Sequence, residues 1–423
     1  LIYQFANYSA SFVDTTMTGQ YNTMDLAGVS TATSLWNPFF TFLTGIVSAM
    51  VPIIGQHLGR GKKEEVASDF YQFIYLAFGL SLILLGIVIF FAPPVLNHIG
   101  LENQVAAVSV SYLCYLSIGI IPLLLFSVIR SLLDSLGLTK LSMYLMLLLL
   151  PLNCGFNYLL IYGAFGFPEL GGAGAGLGTS LAYWCLLGIS VIILLKQKKL
   201  KEFHLEKPLP LDLVKIKEGI RLGLPIGGTV FAEVIIFSVV GLIMAKFSSM
   251  IIASHQSAMN FSTLMYAFPV SISSAMAIVV SYEVGAKRFD DAKTYIKIGR
   301  WIALIFAGFT LSFLYILRDA VASLYGNNPD FIELTSTFLT YSLFFQLADT
   351  VAAPLQGILR GYKDTVVPFY LGVIAYWAVS IPLGLFLDQV TTLGAYSYWI
   401  GLIASLVVSA ILYQWRLQTI MKR

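Results

Sequence analysis

Asp14, Glu233 and Asp349 each interrupt a long run of apolar residues with a carboxylate. An acid inside a membrane costs a few kcal/mol even on lenient insertion scales, so each must be neutral, paired or lining a wet cavity. Holding a proton or a cation is the chemistry such a group offers, because burial disfavours a bare negative charge. In Phe12-Val13-Asp14-Thr15-Thr16-Met17-Thr18-Gly19, Met17 and Thr18 follow Asp14 by three and four residues and share its helix face. The plainer reading of Asp14 is an interfacial aspartate near the outer end of the first helix, a reading that suits Asp25 better.

Neutral polar residues come next. Pro151-Leu152-Asn153-Cys154-Gly155-Phe156-Asn157 stacks two carboxamides on one helix face, able to turn carbonyl oxygens inward or to glue helices together. Coordination at Asn153 and Asn157 requires that Asp14 face them. The run from Gly171 to Thr179 has alternating glycines and no preceding strand, so it is not a dinucleotide fingerprint. Gly174 and Gly178 instead allow close helix contact, which would bring Thr179 near the first and fifth helices. Glu233 and Asp349 invite a shared proton or a hard cation, with Thr229 one turn before Glu233 as a helper. The alternative is a structural pair with a hidden partner, but no Lys or Arg lies mid-helix to neutralise them. His255 could titrate, or serve as an interfacial or hydrogen-bonded residue.

The elements that must position these groups are membrane helices. The 423 residues are 58% hydrophobic and 11% charged, under half the charge of a soluble domain, which is about 25%. Mean hydropathy is +0.82. Apolar runs long enough to cross a bilayer, about 20 residues each, occur near 1–22, 26–58, 70–96, 106–133, 141–163 and 174–195, then near 218–245, 250–284, 294–317, 332–358, 366–388 and 394–415. The expectation is an all-α integral membrane protein of twelve transmembrane helices. The charged, proline-containing interval 196–214 divides an N-lobe (1–195) from a C-lobe (215–423). Cys114, Cys154 and Cys185 have no metal-ligand spacing and read as buried thiols. A net charge of +3 with no long basic tract gives no reason to expect a nucleic acid partner.

Taking loops alternately, Lys246 and Arg318 alone among the 25 Lys and Arg fall on one side, which predicts that the other side, with both termini, is cytoplasmic. The chain also repeats itself. Gly59-Arg60-Gly61-Lys62-Lys63-Glu64-Glu65 overlies Gly285-Ala286-Lys287-Arg288-Phe289-Asp290-Asp291, and Leu136-Gly137-Leu138-Thr139-Lys140 overlies Arg360-Gly361-Tyr362-Lys363-Asp364. Repeats with an even number of helices share orientation, so the two six-helix lobes should relate by a pseudo-two-fold axis along the membrane normal. The same offset predicts that about two turns of helix one lie upstream of Leu1, and no cleaved signal peptide is expected.

The chain resembles the multidrug and toxic compound extrusion family, in particular its NorM-type branch. The residues that carry the resemblance are Phe12-Val13-Asp14-Thr15 with Leu26-Ala27; Phe165-Gly166-Phe167-Pro168-Glu169-Leu170-Gly171-Gly172-Ala173-Gly174; Gly223-Leu224-Pro225-Ile226 with Glu233; Ser254-His255-Gln256; and Gln346-Leu347-Ala348-Asp349 followed by Leu359-Arg360-Gly361-Tyr362-Lys363. The resemblance implies an antiporter in a bacterial plasma membrane, a monomer that expels lipophilic, mostly cationic small molecules while sodium ions or protons run inward, with no further cofactor. It implies that Asp14, Asn153, Asn157 and Thr179 form an N-lobe cation or proton site, that Glu233 and Asp349 form a C-lobe site able to take sodium, and that Ser34, Phe237 and Gln256 line the drug cavity. Phe345 stands where some relatives have tyrosine, which weakens a sodium ligand set, and Asn327-Asn328 stands where others carry acid. The alternative is a lipid-linked saccharide flippase of the same architecture, which should carry a cationic cavity. An intramembrane enzyme is weaker, since neither His-Glu-x-x-His nor Gly-x-Ser-x-Gly occurs.

Overall fold

The computed structural model describes residues 1–98, Gly100 and 103–423. Lipid offers backbone groups no hydrogen bonds, so a spanning chain of this composition must coil, and the described residues form sixteen α-helices with no strand. Eight come first: α1 (Ile2–Tyr21), α2 (Thr23–Val47), α3 (Met50–Gly59), α4 (Glu65–His98), α5 (Asn103–Ser117), α6 (Ile120–Ser135), α7 (Thr139–Ile161) and α8 (Gly172–Lys196). The remainder are α9 (Leu213–Met244), α10 (Ser249–Met265), α11 (Ala267–Gly285), α12 (Phe289–Ser323), α13 (Pro329–Gly361), α14 (Val366–Val373), α15 (Ile381–Val390) and α16 (Tyr396–Met421).

Sixteen helices make twelve crossings because four crossings are broken. α2 runs on into α3, and α14 joins α15 through a π-helical stretch, Ile374–Ser380. α5 and α6 meet at 49°. Pro122 explains that bend, since it has no N–H for the carbonyl of Ile118. Pro269 does the same one turn after Met265, where α10 gives way to α11. Among the described residues, nine spans are long and apolar enough to cross and the bent pair makes a tenth. The two that fall short, α1 and α13, are the helices carrying Asp14 and Asp349. Each needs neighbours to cover its polar face, and α13 finds them in α10, α11, α12 and α16.

The chain divides into two compact units, Ile2–Gly227 and Gly228–Arg423, the latter grouped with Leu1. Residues 196–214 do not hang free in the first unit. Leu200, Phe203 and Leu205 are buried in its core. Tyr71 and Tyr75 donate to the carbonyls of Leu205 and Leu209, and Gln72 Nε2 donates to Pro210 O at 2.9 Å. The early turns of α9 belong to this unit too, because Gly223 and Gly227 lie so close to α2 that a Cβ would come within 2.4 Å of Ile46 O and 2.5 Å of Phe42 O. The cysteines depart from expectation: Cys114 and Cys154 are exposed on the protein surface and Cys185 is half-buried. A thiol in an apolar run can face lipid as well as core.

Candidate functional site

Asp14, Asn153, Asn157 and Thr179 are brought together in the N-terminal unit. Asp14 is 7% exposed and Asn157 wholly buried. Asn157 Nδ2 donates to Asp14 Oδ1 at 2.7 Å, and Thr179 Oγ1 donates to Asp14 Oδ2 at 2.7 Å. Asn153 Oδ1 is the other acceptor within reach of the Thr179 hydroxyl, at 3.2 Å. The glycines of α8 make this possible: a Cβ on Gly174 would sit 2.6 Å from Leu160 O, and one on Gly178 would sit 2.3 Å from Asn157 Oδ1. Asp25 holds the start of α8 by accepting from Gly172 N at 2.9 Å, a structural duty that suits an acid at a helix N-terminus. α1 is seated on α7 by Tyr162 OH, which donates to Met17 O at 2.7 Å, and by Asn153 Nδ2, which reaches Ala10 O at 3.5 Å.

One hydroxyl hydrogen serves two acceptors here, so its direction depends on Asp14. With the carboxylate ionised, Thr179 donates to Asp14. A protonated Asp14 can instead donate to Thr179 Oγ1, freeing Thr179 to donate to Asn153 Oδ1. The neutral ring can therefore accommodate either state of the acid by reorienting hydrogens.

Glu233 and Asp349 lie in the C-terminal unit within Coulombic reach of each other. Glu233 Oε1 accepts from Gln356 Nε2 at 2.9 Å and from Tyr376 OH at 2.8 Å, and the charge of Arg360 reaches it as well. Arg360 is not mid-helix but at the end of α13, one turn past Gln356, and its charge still reaches Glu233. Asp349 is 8% exposed, and no group among the described residues donates a hydrogen bond to it. Sequence reasoning missed Gln356 and Tyr376. Gln356 stands seven residues after Asp349, hence on its helix face, which was a usable signal. Tyr376 sits in the π-helical stretch, which nothing in the sequence marks.

The remaining candidates take no part in either cluster's hydrogen bonds. Ser34, on α2 in the N-terminal unit, is exposed and donates to its own helix at Ser30 O, 3.0 Å away. In the C-terminal unit Phe237 packs edge-on to Phe345 with ring centroids 5.8 Å apart, and the Gln256 amide approaches α9 at Gly241. His255 is 1% exposed and its Nδ1 accepts from Trp399 Nε1 at 2.9 Å, which makes it a satisfied core residue. A further charged group went unmarked: Arg130 pairs with Asp134 at 3.1 Å within α6 and lies 3.9 Å over the Tyr3 ring of α1. Counting all 25 Lys and Arg with the loops hid it.

The fold and these buried acids define a multi-pass helical membrane protein with polar sites inside each of its two units. The MatE family model matches residues 1–159 and 225–386. The chain is 82% identical over its whole length to the probable multidrug resistance protein NorM of Streptococcus pneumoniae (strain R6), covering 93% of that protein. It is 43% identical over its whole length to the protein of the same name from Halalkalibacterium halodurans, again covering 93%. The crystal structure of the eukaryotic MATE transporter AtDTX14 has the same fold, with a TM-score of 0.89 at 16% identity over 99% of this chain and 92% of that one. The chain belongs to the MATE family of membrane transporters.

Proposed function

We propose that this protein is a bacterial plasma-membrane antiporter that exports lipophilic, mostly cationic compounds while sodium ions, protons or both run inward. The observation that carries this reading is the carboxylate of Asp14, buried in α1 and ringed by Asn157 and Thr179, neutral groups that leave it able to gain and lose a proton. The relatives named as probable multidrug resistance proteins support the cargo class. The excess of basic residues on one set of loops supports cytoplasmic termini.

Asp14, Asn153, Asn157 and Thr179 form the N-terminal coupling site in this reading, and Glu233 and Asp349 the C-terminal one. Ser34, Phe237 and Gln256 contribute to the substrate path. The oxygens at the second site fit a hard monovalent cation, which would neutralise the buried Asp349 carboxylate. Coupling requires only that the ion bind the drug-free, outward-open state better than the other states, since a ligand without differential affinity drives nothing.

Proteoliposomes holding the purified chain should move a lipophilic cationic dye under an imposed sodium or pH gradient and not without one. Failure of every cationic dye, with movement of a lipid-linked saccharide, would replace this reading with the flippase.

A further inference from the structure

The internal repeat holds residue by residue at one loop. Lys62 N donates to His57 O at 2.9 Å, and Arg288 N donates to Glu283 O at 3.0 Å. Just before each donor, Gly61 and Lys287 both take the left-handed conformation, with φ of 78° and 59°. Carried along the helices that follow, this register matches Asp69, Tyr71, Gln72 and Tyr75 of α4 with Tyr295, Lys297, Ile298 and Trp301 of α12. On α4 that face is covered. Tyr71, Gln72 and Tyr75 bond to the backbone of the 196–214 segment, and Asp69 Oδ1 lies 3.7 Å from Lys215 Nζ.

On α12 the same face is open. Tyr295, Ile298 and Trp301 are 42%, 48% and 60% exposed, Lys297 is exposed too, and the buried stripe of Ala292, Ile296, Gly299 and Ala303 lies on the opposite side. Lys293, Lys297 and Arg300 fall at i, i+4 and i+7 along the edge of the open face. Among the described residues none of the three has a carboxylate within 4.0 Å, and Arg300 is half-buried. A guanidinium cannot shed its charge, so one partly removed from water without a counter-charge calls for an anion. From Arg300 to Arg318 α12 rises about 27 Å, close to the roughly 30 Å of a hydrocarbon core. The three bases therefore stand at headgroup level, with Trp301 where membrane aromatics gather and Ile302 and Ile305 exposed beyond it.

We propose that this open face of α12 docks an anionic phospholipid, whose phosphate is held by Lys293, Lys297 and Arg300 and whose acyl chain lies over Trp301, Ile302 and Ile305. Three unneutralised bases favour a lipid of net negative charge over a zwitterionic one. The face continues into apolar residues at membrane depth, which an acidic protein segment does not cover and a hydrocarbon chain does. In the N-terminal unit the chain covers the corresponding face with its own backbone; on α12 the lipid takes that place. Binding of this kind depends on neither the cargo nor the coupling ion proposed above.

The test is the melting temperature of the purified full-length chain in a neutral detergent, with dioleoylphosphatidylglycerol, dioleoylphosphatidylcholine or inorganic phosphate titrated in. Phosphatidylglycerol should raise it saturably, since a ligand that binds only the folded state stabilises it, and the other two should not. Lys293→Gln combined with Lys297→Gln alters only exposed side chains and should move the midpoint to about tenfold higher lipid or more. Arg300→Gln should weaken the response further. Lys198→Gln combined with Lys199→Gln takes the same charge from exposed positions of the 196–214 segment and should leave the midpoint in place. An equal loss in that control would reduce the effect to net charge and overturn the site. A shift with inorganic phosphate alone would overturn it by making the ligand a free anion, and an equal shift with phosphatidylcholine by making it hydrocarbon alone. A native chain indifferent to phosphatidylglycerol would overturn it outright.

Discussion

Asp14 in the N-terminal unit and Asp349 in the C-terminal unit are buried to nearly the same degree, 7% and 8% exposed, yet their surroundings are opposite. Both oxygens of Asp14 are engaged by neutral donors of the protein itself, and the helices around it are drawn together by glycines until no room remains for a Cβ at Gly178. Asp349 takes no donor from the described residues and borders a cavity instead. A closed ring of hydrogen bonds suits a group whose ligand is a proton, because a proton needs no volume. A cavity lined with oxygens suits a ligand that has a radius.

The largest effect expected on this comparison belongs to Asp14→Asn. The amide keeps the shape and can still bond to its neighbours but cannot titrate, so dye export should fall to background whichever gradient drives it, while size-exclusion behaviour stays native. Retained export would remove Asp14 from coupling. Next comes Gly178→Ala, which tests whether the first site is closed by packing. A new Cβ 2.3 Å from Asn157 Oδ1 should cost about 1–3 kcal/mol as overpacking, read as a lower melting temperature. An unchanged melting point would mean that α7 and α8 separate easily.

Tyr376→Phe probes the other side of the comparison. It removes one of the two side-chain donors to Glu233 and should cost about 1.5 kcal/mol in the same melting assay, the lower end for a hydrogen bond to a charged group. The smallest effect is expected at Lys63→Ala, on the exposed turn between α3 and α4. Lys63 and Glu202 are 4.0 Å apart with side chains 63% and 56% exposed, so their loss should shift stability by less than about 0.5 kcal/mol. A larger cost would mean that the strap of residues 196–214 depends on charge rather than on the burial of Leu200, Phe203 and Leu205.

Much of the framework was legible because lipid imposes a simple rule on sequence. Each apolar run became a helix or a broken pair, and the small residues at Gly174 and Gly178 marked the contact that seats Thr179 beside Asp14. The carboxamides of Asn153 and Asn157 were readable through their four-residue spacing. What stayed hidden depends on contacts between helices distant in sequence. Gln356 could have been found from its seven-residue spacing after Asp349, whereas Tyr376 is uncharged and sits in a π-helical stretch that nothing along the chain marks. Arg130 looked like a loop residue because its position near the end of a run fits a loop as well as a helix interior, and only Tyr3 and Asp134 show why it is tolerated inside. Burial of the cysteines was misread because hydropathy does not distinguish a lipid-facing thiol from a core one.

The difference between the two acids is tested most directly by dye export from proteoliposomes under a pH gradient alone and a sodium gradient alone, comparing the native chain with Asp14→Asn and Asp349→Asn. The account predicts that Asp349→Asn loses sodium-driven export but keeps the pH-driven component, whereas Asp14→Asn moves no dye under either gradient. An Asp14→Asn chain that still exports, or an Asp349→Asn chain that loses both components alike, would contradict it.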